Sequence, residues 1–150
     1  RLKDEGYLIH TYLLGEGPEE KVIRKMIDEH HLNDSVTLLG YQINPYKYIK
    51  NSDIFICCSY AEGFSTAATE ALIVGTAVCT VEVSGMKEML GNSEYGLITE
   101  NNEKALYQGV KKVLDDRFLF EYYRNQAAVR GKMFSTEKTV QAVEDMLLAL

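Results

Sequence analysis

Residues 53–72 read Asp-Ile-Phe-Ile-Cys-Cys-Ser-Tyr-Ala-Glu-Gly-Phe-Ser-Thr-Ala-Ala-Thr-Glu-Ala-Leu. The first six, Asp53 to Cys58, form a short apolar run rich in aromatic and branched side chains, bounded by Ser59. Such a run reads as a buried strand. Gly63 follows as a turn residue, and Ser65 to Val74 carries the composition of a helix. A strand, a glycine turn and a helix start present free N–H groups to an anion. The order also fits a parallel sheet, in which each strand returns through a helix.

The same alternation extends outward in both directions. Upstream, Tyr7 to Leu14 reads as a strand stopped by Gly15-Glu16-Gly17-Pro18. Glu19 to His31 reads as a helix, with Val22, Met26 and Ile27 at helical spacing. Pro18 suits its first turn, and Glu19 and Glu20 suit its positive end. Val36 to Leu39 is a strand ending at Gly40, and Pro45 to Asn51 a short helix. Downstream, Ala77 to Val81 and Tyr95 to Ile98 read as strands on either side of a helical turn around Met86 to Leu90. Helices are expected over Glu103 to Leu114, Arg117 to Lys132 and Thr136 to Leu150, the last capped by Ser135. The fold class is therefore α/β: a Rossmann-like, doubly wound parallel sheet with helices on both faces, in a single domain over 1–150.

Composition excludes several classes of function. The 150 residues are 46% hydrophobic and 25% charged, close to ordinary globular values, and only Pro18 and Pro45 are proline. No apolar run reaches the roughly 18 residues of a membrane span, and residues 1–5 lack a signal-peptide core. The expectation is a cytoplasmic protein. The net charge is -6 and the cations are scattered, which argues against nucleic acid as the main partner. The three cysteines, Cys57, Cys58 and Cys79, sit in apolar runs and are expected to be reduced, buried core thiols. No ligand spacing for a metal is seen.

Within the quoted stretch, Glu62 stands in the loop, where its carboxylate can accept hydrogen bonds from sugar hydroxyls. Glu70 lies in the helix and can accept both hydroxyls of a ribose diol. Gly63 allows close backbone approach, and Ser65 and Thr66 add hydroxyl donors for a diphosphate. The spacing alone fits equally a solvated loop acid followed by a helix-surface acid. His10 reads as a packing or hydrogen-bonding residue in its strand, and His30 and His31 as helix-end residues.

Context decides between these readings. Glu62-Gly63-Phe64-Ser65, then Glu70-Ala71-Leu72 and Gly75-Thr76-Ala77-Val78, resembles the E-x7-E region of family 4 (group 1) glycosyltransferases. Leu14 to Pro18 is similar to the glycine loop after the second strand of that family's C-terminal domain. Val36 to Tyr41 resembles its next strand, and Asn51 to Ile56 the strand before the motif. The resemblance implies the donor-binding C-terminal half of a GT-B enzyme, a retaining transferase using a nucleotide diphosphate sugar. Uridine diphosphate is the commonest donor type in such families, and no metal is required.

By this resemblance Glu70 would bind the ribose and Glu62, the candidate catalytic residue, the transferred sugar. Gly63, Phe64, Ser65 and Thr66 would hold the sugar and diphosphate. By the same resemblance Gly15 and Gly17 would belong to the donor site, Tyr41 and Gln42 would lie near the base, and Ser84 to Glu88, which resembles the family's segment before a short helix, would make a minor contribution. The acceptor would be a glycan, lipid or protein, in glycan or cell-surface polysaccharide biosynthesis, and any peripheral association at the inner membrane face would run through the missing domain. The first strand of the domain, the usual Arg and Lys that neutralise the diphosphate, and the N-terminal acceptor domain would all precede Arg1. The residues given are thus expected to be inactive alone and at best a weak nucleotide binder. The alternatives are a GT-B epimerase or phosphorylase, or a non-catalytic nucleotide-binding domain. A response-regulator-like switch is disfavoured, because Asp53 begins its strand rather than ending it.

Overall fold

The computed structural model describes residues 1–148. It forms two compact units, Arg1–Tyr48 and Ile49–Leu150, the division falling inside one short helix.

The first unit contains β1 (Thr11–Leu14), α1 (Glu20–Glu29), β2 (Val36–Gly40) and the start of α2 (Tyr46–Lys50). β1 and β2 pair in parallel from Thr11 opposite Val36 to Leu14 opposite Gly40, with a register shift between Leu13 and Leu14. The sequence predicts a strand from Tyr7, but the ladder starts at Thr11, whose N–H bonds the Ser35 carbonyl. Residues 7–10 lie before the first rung of the β1–β2 ladder, and His10 reaches β2 through its side chain, at Thr37 Oγ1, rather than through the backbone. Helix α1 turns Ile27 inward, with Ile23 half-buried one turn before it, while Val22 and Met26 are exposed. The pairs 22/26 and 23/27 form adjacent rows about 100° apart, and it is the second row that packs.

The second unit contains β3 (Ile54–Cys57), α3 (Thr66–Ile73), β4 (Ala77–Val81), α4 (Met86–Leu90) and β5 (Leu97–Thr99). It continues through α5 (Glu103–Asp115), α6 (Arg117–Gly131), a 3-10 turn (Lys132–Phe134) and α7 (Thr136–Leu148). The strands pair in parallel in the order β3-β4-β5. The sequence predicts the last helix to Leu150, and its final two residues lie outside the described residues. Ser135 accepts a hydrogen bond from the Lys138 N–H at 3.4 Å, the expected cap.

β4 shows why this sheet is stable. All five of its residues are buried. Val78 joins a cluster with Leu72, Met86, Met89 and Leu90, and Ala77 joins another with Val113 and Tyr123. Alternate residues of the strand therefore feed the cores on its two faces. Full burial of each valine or leucine side chain is worth about 1.5–3 kcal/mol. The one buried hydroxyl on the strand is satisfied: Thr80 donates to the Cys57 carbonyl at 2.9 Å.

The cysteine expectation needs one correction. Cys57 and Cys79 are buried, but Cys58 is exposed. Cys57 is the last residue of β3, so its neighbour projects to the opposite side, beyond the ladder. Burial pushes the Cys79 thiol up to about 12, so it stays protonated.

Candidate donor-site turn

The carboxyl ends of β3 and β4 meet at one edge of the second unit. In parallel α/β sheets that is where ligands bind. After β3 the chain runs through Ser59 to Glu62 and Gly63, and after β4 through Glu82 to Gly85. Together they border an open cleft of ≈ 620 Å³ lined by Tyr60, Ala61, Glu62, Gly63, Glu82, Val83 and Ser84. Glu82 forms an ion pair with Lys87 at 2.6 Å.

Helix α3 begins beside this cleft. Ser65 is its N-cap, in extended conformation, and its hydroxyl accepts from the Ala68 N–H at 3.3 Å. A side-chain cap of this kind contributes roughly 1 kcal/mol. The next N–H groups, of Thr66 and Ala67, have no carbonyl four residues earlier in the helix to bond. They give the helix start its partial positive charge, with no acidic residue in the first turn to oppose it. The helix closes at Gly75 in the left-handed region, with Gly75 N–H to the Leu72 carbonyl and Thr76 N–H to that of Ala71.

Two contacts fix the turn between strand and helix. The Ser59 hydroxyl donates to Glu62 Oε1 at 2.8 Å. Behind the turn, Gly85 has φ +80, and a Cβ there would lie 1.8 Å from the Gly63 carbonyl oxygen. No side chain fits at position 85 while Gly63 stays where it is. The turn and the start of α4 therefore touch backbone to backbone.

The predicted site residues fall into two groups, one in each unit. Glu62, Gly63, Phe64, Ser65, Thr66 and Glu70 lie along one continuous segment of the second unit. Glu62 and Glu70 are half-buried, and Ser65 is 3% exposed, its hydroxyl turned toward the cap. Phe64 packs edge-on against Phe134, with ring centroids 5.9 Å apart. In the first unit, Gly15, Gly17, Tyr41 and Gln42 lie at the carboxyl ends of β1 and β2. Glu16 accepts from the Tyr41 N–H at 3.4 Å, and the Gly15 N–H bonds the Gly40 carbonyl at 2.9 Å. The Tyr41 ring is 70% exposed. Gln42 donates to the Leu39 carbonyl at 2.7 Å and accepts from the Tyr48 hydroxyl at 3.2 Å.

Sequence reading assigned no part to Ser59, Glu82 or Gly85 individually. The available signals were Ser59 three residues before Glu62 and the place of Glu82 just past a buried strand. His10 bonds Thr37 at 2.8 Å, in keeping with a hydrogen-bonding role. Among the described residues no group of three or more His, Cys, Asp or Glu side chains converges as a metal set would. No helix among them is long and apolar enough to cross a membrane.

Parallel βαβ units with an anion-ready helix start define an α/β protein of the doubly wound class. Residues 1–130 match the family described as glycosyl transferases group 1, and the chain belongs to that family. It is 38% identical over 150 residues to a Campylobacter jejuni enzyme, N-acetylgalactosamine-N,N'-diacetylbacillosaminyl-diphospho-undecaprenol 4-alpha-N-acetylgalactosaminyltransferase. That match covers 99% of the chain and 40% of the relative. The capsular polysaccharide biosynthesis glycosyltransferase CapM of Staphylococcus aureus is 27% identical over 117 residues, 76% of the chain and 30% of CapM.

Among solved structures, Anabaena Alr3699/HepE in complex with UDP superposes with a TM-score of 0.84 at 20% identity. It covers 95% of this chain and 41% of its own. The pneumococcal O-GlcNAc transferase GtfA, in complex with UDP and GlcNAc, gives 0.84 at 16% identity, covering 99% of this chain and 30% of its own. The shared fold is that of GT-B glycosyltransferases. The chain spans about 40% of the length of the Campylobacter relative.

Proposed function

We propose that this chain supplies the donor site of a retaining glycosyltransferase that takes its sugar from a nucleotide diphosphate sugar, with uridine as the base. The observation that carries the reading is the Glu62–Gly63 turn, which borders an open cleft and leads into a capped helix start. A diphosphate bound there accepts from the Thr66 and Ala67 N–H groups. Glu70 accepts the two ribose hydroxyls, and Glu62 accepts from a hydroxyl of the transferred sugar. For the first unit by itself, Gly15, Gly17, Tyr41 and Gln42 are proposed as donor-binding residues, the last two toward the base.

The chemistry proposed is front-side displacement. The anomeric carbon–oxygen bond to the diphosphate breaks as the acceptor oxygen bonds the same face, and the acceptor proton passes to the departing phosphate oxygen. The centre becomes oxocarbenium-like, and Glu62 stabilises that developing positive charge without bonding to carbon. No metal takes part in this reading. A glycosyl adduct trapped on Glu62 overturns it.

The acceptor is proposed to be a glycan, lipid or protein held by an acceptor-binding domain, in polysaccharide assembly at the cytoplasmic membrane face. The name of the Campylobacter relative, which specifies a diphospho-undecaprenol acceptor, favours the lipid-linked case.

Calorimetric titration of the chain with UDP, UDP-glucose and UDP-N-acetylglucosamine tests the donor site. Glu70→Ala is expected to weaken all three by about tenfold or more, the worth of one charged hydrogen-bonding group. Equal binding by the variant removes Glu70 from the site. Turnover of a labelled sugar nucleotide without acceptor, to its epimer, favours an epimerase instead.

A further inference from the structure

We propose that Ser59 is a positioning residue for Glu62, an inference that rests on the donor-site reading above. A glutamate side chain has three rotatable bonds, and in a loop its carboxylate samples many directions. Ser59 removes that freedom from one side. Its hydroxyl is 2.8 Å from Glu62 Oε1, and the proton must come from the serine, because an ionised carboxylate has none to give. With Oε1 held, Oε2 is aimed and remains able to accept from a substrate hydroxyl.

The hydroxyl is itself held. Ser59 Oγ lies 3.7 Å from Cys57 Sγ, and Cys57 Sγ lies 3.9 Å from Ser65 Oγ. Ser65 in turn accepts from the Ala68 N–H at the start of α3. The loop carboxylate is thereby connected through three short side chains to the end of β3 and to the helix cap. Cys57 and Ser65 are buried, so the inner end of this chain is shielded from water. The Ser59 carbonyl also accepts from Asn101 Nδ2 at 3.5 Å, a second tie from the loop after β5. Gly85 closes the back of the turn at Gly63. Ser59 is thus fixed through its own side chain and backbone, which lets it direct another group.

Its position gives the contact a specific consequence. Glu62 faces the transferred sugar in the donor reading, whereas Glu70 and the helix start face the nucleotide. Loss of the Ser59 hydroxyl is therefore expected to act on the sugar and spare the nucleotide. A merely structural serine would affect both.

The test uses the whole chain as Ser59→Ala and Ser59→Thr, titrated with UDP, UDP-glucose and UDP-N-acetylglucosamine. In Ser59→Ala the affinity for each UDP-sugar is expected to fall about tenfold, while that for UDP stays within about twofold. Ser59→Thr keeps the hydroxyl and is expected to restore most of the loss. The 13C carboxyl resonance of Glu62, free of any ligand, is expected to move in Ser59→Ala and to return toward its original place in Ser59→Thr. An unmoved resonance overturns the proposal, as does a loss shared equally by UDP and the UDP-sugars. If the unaltered chain binds none of the three ligands, the donor-site reading fails, and the carboxyl resonance by itself decides whether Ser59 directs Glu62.

Discussion

Two turns in this chain have the same plan and different construction. Gly15 to Pro18 follows β1 and leads into α1, and Glu62 to Ser65 follows β3 and leads into α3. At the first, the N-cap residue Glu19 makes no side-chain cap bond, and a Cβ on Gly15 or Gly17 would meet nothing within 4 Å. At the second, Ser65 caps the helix, Ser59 holds Glu62, and Gly85 abuts Gly63. The strand before each turn differs in the same way: β1 is exposed along its length, while β3 ends in a buried cysteine. A strand–glycine–helix pattern specifies the path of the chain. Whether that path is rigid depends on what lies behind it.

The contrast is open to attack at several points, beginning where the effect should be greatest. Gly85→Ala combines left-handed backbone with an immovable carbonyl oxygen, and should cost about 3 kcal/mol. A urea melt that shows less than about 1 kcal/mol would mean the second turn yields as easily as the first. Gly15→Ala carries backbone strain alone, at φ +116 in open space, and about 1–2 kcal/mol is expected from the same measurement. If the alanine at position 15 proves the more damaging, the comparison is reversed.

Helix caps give a finer distinction. Ser65→Ala should remove about 1 kcal/mol. Glu19→Ala, at the uncapped helix, should stay within about 0.5 kcal/mol by the same melts. Equal losses would show that the side-chain cap at α3 carries no special weight.

The smallest effect is electrostatic and belongs to the first unit. Lys3 Nζ sits 2.5 Å from Asp34 Oδ1, and its hydrogen bond holds that carboxyl below the ordinary 3.8. A depressed folded value means the stabilisation is complete above about pH 3.8 and is lost as the pH falls through the folded value. In Lys3→Gln the Asp34 titration, followed by NMR, should move back up toward the ordinary value. No movement would detach Asp34 from Lys3. At neutral pH the variant should melt almost as the original does, because the pair is exposed and screened.

These contrasts also mark what was legible in the sequence. Alternating apolar runs and amphipathic stretches locate the five strands of the described residues and the intervening helices, and the signal is fullest at β4, where burial on both faces demands an apolar run. Ala77–Val81 is legible to the residue, since both of its faces are covered and every position must be apolar or satisfied. The start of β1 is not, because strand length there is set by where β2 begins. Cys58 and Cys57 look alike in sequence, and only the last rung of the β3 ladder separates inside from outside.

The site divides along the same line. Glu62, Gly63, Ser65 and Glu70 are adjacent in sequence, and their shared segment is visible without coordinates. The hydrogen bond from Ser59 depends on a particular rotamer within a turn. The Gly63–Gly85 approach joins residues on separate loops, and no single-sequence pattern encodes it.

That approach constrains how the sequence can change. When two side chains collide, trimming one accommodates the other, and compensating pairs arise readily. Here the obstacle to any side chain at position 85 is a peptide oxygen, which every amino acid carries. No replacement at position 63 can make room for it. A screen for second-site suppressors of Gly85→Ala should consequently recover substitutions that reroute the loop itself, or simple reversion, and no reciprocal change at Gly63.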